Sequence, residues 1–292
     1  MASHIENKAI QLRNEAQKKM NPGGFLQAFF SSGKETLEAI DYYTRAGNLF
    51  KMAKNWVQAG LAFIDAANLN CKTDDLLEAA INYTEAANCF KKCDYQKAIE
   101  SYYRAIKLYT QIGKVLTAAK LHESVAEMME DERELSNASR HYELASELFR
   151  QENHMSNANK CLEKVAELAA LAGKYQKAIK IFQEIACYDL SSSLLQFNAK
   201  GNLFRAAICH LCNDRRIVET MLNTYTEMLP SFENTREYDL ILSLLKCLDQ
   251  RDLEEYANAL RIYHACNKLS IWHVTMLLKA KEIIESDDSL RE

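Results

Sequence analysis

A short pattern of small and aromatic residues recurs along the first two thirds of the chain and constrains its fold strongly. In the first copy Ala39, Tyr43 and Ala46 stand four and three residues apart, so all three share one face of an α-helix. Further copies begin at intervals of about twenty residues, at Ala59, Ala79, Ala98, Ala118, Ala138, Ala158 and Ala178. Such an interval fits one helix of about ten to fifteen residues with a short connection.

This pattern, called the stripe below, allows helices to pack closely side by side. Small residues at its ends let neighbouring backbones approach, and the central side chain fills the groove between them. His122 and Leu162 replace the aromatic residue in two weaker copies. Because two stripe helices make one hairpin, the repeat is near forty residues, longer than the tetratricopeptide unit of about 34 residues.

We therefore predict an all-α fold, a right-handed solenoid of antiparallel helical hairpins with tetratricopeptide-like repeats. An N-terminal helix, an apolar loop at residues 21–34 and the repeats occupy residues 1–188. The stripe fades after Asp189, and a C-terminal helical bundle with an acidic tail occupies residues 189–292. The alternative is an ordinary helical bundle in which the equal spacing is accidental.

The composition agrees with a helical protein that does not span a membrane. Pro22 and Pro230 are the only prolines among 292 residues, so few positions break a helix. No apolar run approaches the roughly twenty residues of a membrane span, and the N-terminus lacks the apolar segment of a signal peptide. We therefore expect a cytoplasmic protein. The net charge of −4 argues against nucleic acid as the main partner.

The sequence offers no motif for catalysis or for a cofactor. Nine cysteines without a secretory signal indicate reduced thiols. Cys209 and Cys212 flank His210 at a metal-like spacing, but Cys247 and Cys266 do not form the second pair that a structural zinc site needs. Phosphate-binding loops, hydrolase nucleophile elbows and zinc-protease motifs are also missing. We predict a protein that is not an enzyme, that holds no cofactor and that acts through its surfaces.

An apolar cluster stands in the loop at residues 21–34. Residues 22–24 break the helix, and four large apolar side chains follow: Phe25, Leu26, Phe29 and Phe30. They either fold back onto the first hairpin or contact a membrane or a partner. Withdrawing four such side chains from water contributes roughly 6–12 kcal/mol before ordering costs. That permits weak, reversible membrane attachment by one copy, so several copies would have to act together.

Three lysines of the repeats are candidates for a binding face. Lys114, Lys120 and Lys160 stand near the starts of successive helices, where stacked repeats could align them. The alternative is an ordinary solvated surface. At the other end of the chain, Leu290 stands alone among the charged residues of the tail, which by itself indicates no function.

Long segments resemble the soluble NSF attachment proteins, the SNAP family, and in particular its alpha-type members of the fungal or protist kind. The run AGNLFKMAKNWVQAGLAFIDAA at residues 46–67 carries the resemblance, which continues in order through IESYYRAIKLYT, SNANKCLEKVAELAA, KYQKAIKIFQEI and IWHVTMLLKAKEII. The resemblance covers nearly the whole chain. It implies the family fold, a twisted sheet of helical hairpins followed by a C-terminal bundle.

The resemblance also implies a function. The family binds assembled SNARE complexes, four-helix bundles of syntaxin-like, SNAP-25-like and synaptobrevin-like chains. It recruits and stimulates the hexameric AAA+ ATPase NSF, which takes the bundles apart during vesicle fusion, including ER–Golgi transport. This implies an adaptor that is cytoplasmic and peripheral on membranes, with several copies on each SNARE bundle. The alternative is a generic tetratricopeptide-like peptide-binding adaptor, such as a chaperone cofactor.

The family's functional positions can be carried onto this sequence only where the residues match. Its membrane-attachment loop matches the four apolar residues at 25–30, and its SNARE-facing positions match Lys114, Lys120, Lys160, Lys200 and Arg236. A basic face of this kind meets an acidic SNARE surface through contacts that weaken with salt.

The NSF-facing positions match less completely. Carboxylates are present at Asp214, Asp249 and Glu254, with Asp252 and Glu255 nearby. Lys246 and Gln250, however, stand where the family has acidic residues. The leucine that stimulates the ATPase corresponds to Leu290, although Glu292 extends the usual ending by one residue.

Overall fold

The computed structural model describes residues 2–20, 33–193 and 195–289, and in these ranges the chain is helical with no strand. The four apolar residues at 25–30 and Leu290 lie outside the described residues. The all-α prediction is confirmed. The helices are α1 (Ala2–Met20), α2 (Gly33–Met52), α3 (Trp56–Lys72), α4 (Leu76–Phe90), α5 (Tyr95–Gln111), α6 (Val115–Asp131), α7 (Leu135–Gln151), α8 (Met155–Leu171), α9 (Tyr175–Leu190), α10 (Gln196–Asn213), α11 (Val218–Met228), α12 (Arg236–Gln250), α13 (Leu253–Cys266) and α14 (Ile271–Ser289).

The chain divides into two compact units, Met1–Ala158 and Asn159–Glu292, called unit 1 and unit 2 below. The predicted boundary at residue 188 marks the end of the stripe pattern rather than a break in contacts, and it stays a prediction. In unit 1 each helix from α1 to α6 packs on the next. Since the connections are short, consecutive helices run antiparallel, which gives the predicted hairpins.

Contacts between alternate helices of unit 1 arrange the hairpins in two layers. On the odd-numbered side, Asn55 Nδ2 donates to Glu6 Oε1 at 2.6 Å and ties α3 to α1. On the even-numbered side, Lys51 forms an ion pair with Glu85 and ties α2 to α4. Stacking of each hairpin on its neighbours is the arrangement of a solenoid.

The stripe forms the core, as the sequence predicts. All eight leading alanines are at most 1 % exposed, so neighbouring helices lie close against them. The central Phe63 and Phe182 are 1 % and 0 % exposed, whereas His122 and Leu162 of the weaker copies are half-buried. The strength of the stripe in the sequence thus parallels the burial of its central side chain.

Two glycines of the first repeats are required by this packing. A Cβ on Gly47 would lie 2.9 Å from the ring of Phe63, and a Cβ on Gly60 would lie 2.5 Å from the ring of Phe90. Both distances are shorter than real contacts allow, so each glycine makes room for an aromatic ring of the next helix.

The turns between helices repeat as regularly as the stripe. One residue in most turns adopts the left-handed conformation, with φ between 58° and 74°: Lys54, Asp74, Gly113, Arg133, Asn153 and Gly173. The next helix often begins at a side chain that caps it. The side chains of Asn55, Asp75 and Asp94 accept a backbone N–H of α3, α4 and α5.

Unit 2 is less regular and contains polar groups in its core. Helix α10 packs on α9, α11, α12 and α14. The buried Tyr225 accepts a hydrogen bond from Gln183 Nε2 at 2.9 Å, and its hydroxyl lies 3.2 Å from Nε2 of the buried His210. Pro230 follows the end of α11, as predicted. Among the described residues, no helix combines the length and the apolar character needed to cross a bilayer.

The cysteines that flank His210 belong to this core. Cys209 is fully buried, and the Cys212 thiol donates to the carbonyl oxygen of Met276 at 3.3 Å. Burial raises the pKa of Cys212 to about 12, which keeps the thiol protonated. These side chains therefore serve as packing groups of α10.

Candidate functional site

The three lysines of the repeats occupy two helices. Lys114 immediately precedes α6, as expected for a residue near a helix start, and Lys120 and Lys160 are the sixth residues of α6 and α8. The prediction that the three lysines stand on successive helices is wrong, because α7 separates α6 from α8. The reason is that the lysine recurs after forty residues, the length of a whole hairpin, and therefore falls in every second helix. Lys120 and Lys160 each follow the leading alanine of a stripe by two residues, forty residues apart.

All three lysines are exposed, and none has a carboxylate at ion-pair distance within the described ranges. Lys114 also stands at the N-cap position of α6 and makes no side-chain cap hydrogen bond. A cation is unfavourable at a helix N-terminus, where the backbone carries a partial positive charge. The charge of Lys114 is therefore not explained by the stability of α6.

Lys200 and Arg236 lie close together in unit 2, near the starts of α10 and α12. Lys200 Nζ forms an ion pair with Glu237 Oε1 at 3.3 Å, and Arg236 Nη1 donates to Asn267 Oδ1 at 3.2 Å. Lys200 Nζ also lies 5.5 Å from the centre of the Phe197 ring. Unlike the lysines of the repeats, Lys200 already has a carboxylate partner.

Phe197 is a surface residue that the sequence analysis missed. Its side chain is 81 % exposed. An exposed aromatic ring beside a cation is a frequent feature of binding surfaces. Its position three residues before Lys200 was the available signal, because residues three apart share one face of a helix.

The predicted acidic residues Asp214 and Asp249 are brought together by two consecutive arginines. The Arg216 guanidinium donates through Nε and Nη2 to the two oxygens of Asp214, at 2.9 and 3.0 Å. These hydrogen bonds lower the pKa of Asp214. Arg215 Nε lies 3.4 Å from Asp249 Oδ1. Both carboxylates are thus already paired with arginines within the protein.

The other predicted carboxylates stand on the first turn of α13. Asp252 caps this helix, accepting the backbone N–H of Glu255 at 2.9 Å, and Asn258 Nδ2 donates to Glu255 Oε2 at 3.2 Å. Glu254 is exposed and has no ion-pair partner among the described residues. We call this end of unit 2, with the 214–216 turn and residues 246–255, the acidic end.

The acidic end carries less net charge than its carboxylates alone indicate. Its five carboxylates are accompanied by four basic side chains: Arg215, Arg216, Lys246 and Arg251. Lys246 and Gln250, which depart from the family pattern, line an open groove of about 510 Å³ between α12 and α13, together with Asp252 and Glu255. The groove is mixed in charge, with apolar side chains such as Leu240 and Ile262 in its walls.

A hydrogen-bonded chain of three rings links α5, α6 and α7. Tyr103 OH lies 3.0 Å from His141 Nε2, and His141 Nδ1 lies 2.9 Å from His122 Nδ1. Only one proton can occupy the contact between the two imidazoles. Burial lowers the pKa of His122 to about 4 and also lowers the pKa of His141. At neutral pH both rings are therefore neutral and serve the packing of unit 1.

These features define a helical-repeat protein that presents charged surfaces to partners. It combines stacked helical hairpins and unpaired surface lysines with a unit that has one end of mixed charge. The family profile described as "Soluble NSF attachment protein, SNAP" matches residues 7–285. The chain belongs to this family.

Individual relatives match over nearly their whole length. The chain is 39% identical to the alpha-soluble NSF attachment protein of Homo sapiens over 97% of both chains. It is 32% identical to the protein of the same name from Vitis vinifera, over 99% of this chain and 98% of that protein. It is also 32% identical to the probable vesicular-fusion protein sec17 homolog of Schizosaccharomyces pombe, over 96% and 97%.

Proposed function

We propose that this protein is an adaptor that binds assembled SNARE complexes and recruits and stimulates NSF, so that the SNARE bundles are disassembled and recycled in vesicle fusion. The observation that carries the proposal is family membership over almost the entire chain, residues 7–285. The names of its relatives refer to NSF attachment and to vesicular fusion. The generic peptide-binding alternative has no comparable support.

The basic positions are the proposed SNARE-binding residues. Lys114, Lys120 and Lys160 are exposed and have no carboxylate partner among the described residues, so a partner's acidic surface can pair with them without first breaking an ion pair. Lys200 and Arg236 are proposed to bind the same partner. For Lys200 this requires that its ion pair with Glu237 is shared with the partner or broken. The partner is an acidic four-helix bundle, and several copies of the protein surround it.

The acidic end is the proposed NSF-binding surface. Asp214, Asp249, Asp252, Glu254 and Glu255 gather there, and basic groups of a partner could replace Arg215 and Arg216 on the first two carboxylates. Exposed ion pairs contribute about 0–1 kcal/mol, so such an exchange costs little. Leu290 is proposed to stimulate the ATPase after binding.

The loop with Phe25, Leu26, Phe29 and Phe30 is proposed as a weak membrane contact that places the protein peripherally on membranes. Replacing Phe29 and Phe30 with serine should reduce activity on SNARE complexes in liposomes more than activity on soluble SNARE complexes. Equal losses on both substrates would instead indicate that the loop supports the fold.

Disassembly of a fluorescently labelled SNARE bundle by NSF and ATP tests the proposal as a whole. We expect disassembly only when this protein is added, and Leu290→Ala should retain SNARE binding but lower the ATPase rate. If active NSF leaves the bundle intact in the presence of this protein, the proposed function is wrong.

A further inference from the structure

Gly201 has no structural explanation within the protein. Among the glycines that the structure describes, Gly33 begins α2, Gly47 and Gly60 make room for aromatic rings, and Gly113 and Gly173 have φ of 74°. Gly201 lies inside α10, where a Cβ would meet only Arg205 Nη1, at an ordinary 3.6 Å. Glycine in a helix interior costs about 0.5–1 kcal/mol relative to alanine. Alanine would fit at position 201, so glycine there makes the helix less stable than it could be.

The missing side chain leaves one wall of a pocket open. Gly201 lines a pocket of about 290 Å³ together with Phe204, Tyr263, Leu269 and His273, and with the charged groups of Arg205, Glu237 and Lys268. The Phe204 ring is stacked on the His273 ring, with centroids 5.4 Å apart. Small-molecule sites are usually about 300–1,000 Å³, so this volume suits a single side chain better than a cofactor.

The charges around the pocket favour an acidic partner. Arg205 Nε lies 3.6 Å from Glu167, and Glu237 is paired with Lys200, so these charges are largely balanced. Lys268 is exposed and has no ion pair in the described part of the chain. Arg236 is hydrogen-bonded to Asn267, which also lines the pocket. The pocket therefore combines an aromatic floor with two cations at its edge.

We propose that this pocket receives one apolar side chain projecting from an acidic α-helix, whose carboxylates meet Lys268 and Arg236. This inference rests on the proposed function, under which the acidic helix belongs to the SNARE bundle. The same edge of unit 2 carries Lys200 and the exposed Phe197, which are three residues apart on α10. A side chain that fills a pocket, surrounded by contacts that exclude water, is the usual arrangement of a binding hot spot.

Filling the pocket without changing any charge tests the inference. Gly201→Met extends a flexible apolar chain into the pocket, whereas Gly201→Ala adds only a Cβ and serves as the matched control. We expect Gly201→Met to weaken binding of a soluble SNARE bundle at least tenfold, measured by calorimetry. Gly201→Ala should weaken binding by less than Gly201→Met, because a single Cβ closes only part of the pocket, and it should unfold at a higher temperature, because it removes the helix-interior glycine.

A second variant keeps the inference testable if Gly201→Met does not fold. Lys268→Glu should also weaken binding of the bundle, and its effect should shrink as salt is raised. Wild-type affinity in Gly201→Met or in Lys268→Glu overturns the inference while leaving the proposed function intact. The inference is also wrong if either variant loses NSF recruitment or liposome binding while its affinity for the SNARE bundle is unchanged. If the wild type itself does not bind the bundle, the proposed function fails and this inference with it.

Discussion

The two units present their charges in different ways. In unit 1, Lys114 and Lys120 extend from α6 without an ion-pair partner among the described residues, although Lys114 occupies a position that favours a capping residue. In unit 2, the carboxylates Asp214 and Asp249 of the acidic end are held by Arg216 and Arg215. An unpaired charge is available to a partner at once, whereas a paired charge must exchange one partner for another.

This difference has a consequence for the proposed partners. Contact with SNARE bundles through the unpaired lysines should depend strongly on charge and salt. Contact with NSF through the acidic end should depend more weakly on individual carboxylates, because two of them already form ion pairs with arginines.

Reversing the charges of Lys114 and Lys120 should have the largest effect. Juxtaposed like charges cost several kcal/mol, and about 1.4 kcal/mol corresponds to a tenfold change. We therefore expect Lys114→Glu with Lys120→Glu to weaken SNARE-bundle binding more than tenfold at low salt. Lys107→Glu, on the exposed surface of α5, is the control and should bind like the wild type. Equal losses in the control would show that total charge, rather than position, determines binding.

Replacing Lys114 with aspartate should separate stability from binding. Its backbone, with φ −86° and ψ 60°, resembles that of Asp75, with φ −86° and ψ 74°, whose side chain caps α4. Lys114→Asp should therefore raise the free energy of unfolding by about 1 kcal/mol while weakening SNARE binding. Urea titration gives the first quantity. A variant that is both more stable and fully active would remove the functional explanation of Lys114.

At the acidic end, the effects should be smaller and should follow the ion pairs. Glu254→Lys reverses a carboxylate without an ion-pair partner in the described ranges, so NSF recruitment should fall about two- to fivefold, equivalent to 0.5–1 kcal/mol. Arg216→Ala frees Asp214 and should leave recruitment unchanged or slightly stronger. Pull-down of NSF with a non-hydrolysable nucleotide measures both. A larger loss from Arg216→Ala than from Glu254→Lys would contradict this interpretation of the acidic end.

Acid should lower stability through the buried imidazoles. The folded pKa of His122 is about 4, below the unfolded value of about 6.5, so the unfolded chain binds protons first as the pH falls. The stability that this neutral ring contributes is present above about pH 6.5 and is lost progressively between about 6.5 and 4. We expect the melting temperature to fall between pH 7 and pH 5.

The change in melting temperature should be smaller in His122→Leu than in the wild type. His4→Gln, at an exposed position, is the control. An identical decrease in His122→Leu and the wild type would assign the acid sensitivity to other groups. His210 and His273 of unit 2, whose pKa values burial also lowers to about 4, are the next candidates.

The repeat architecture could be predicted because it depends on local spacing. Alanines twenty residues apart fix which face of each helix is buried, and all eight are at most 1 % exposed. The same regularity extends to the turns, where Gly113 and Gly173 supply the left-handed conformation. None of this requires knowledge of contacts distant in sequence.

The surfaces could be predicted only in part, because they depend on such contacts. Nothing in the spacing of Arg215 and Asp249 indicates that they pair. The stripe recurs in every helix, so it also gives no sign that Lys120 and Lys160 fall in every second helix, α6 and α8. The pocket beside Gly201 is formed by segments about seventy residues apart, and a glycine within a helix pattern was its only sequence signal.

An adaptor must hold both of its partners at once, and co-sedimentation measures this property of the protein. SNARE bundle, protein and NSF would be sedimented together with a non-hydrolysable nucleotide, with each component omitted in turn. NSF should sediment with the bundle only when the protein is present, and Lys114→Glu with Lys120→Glu should remove the bundle from the complex. Sedimentation of NSF with the bundle in the absence of the protein, or binding of the protein to neither partner, would show that the protein is not an adaptor between them.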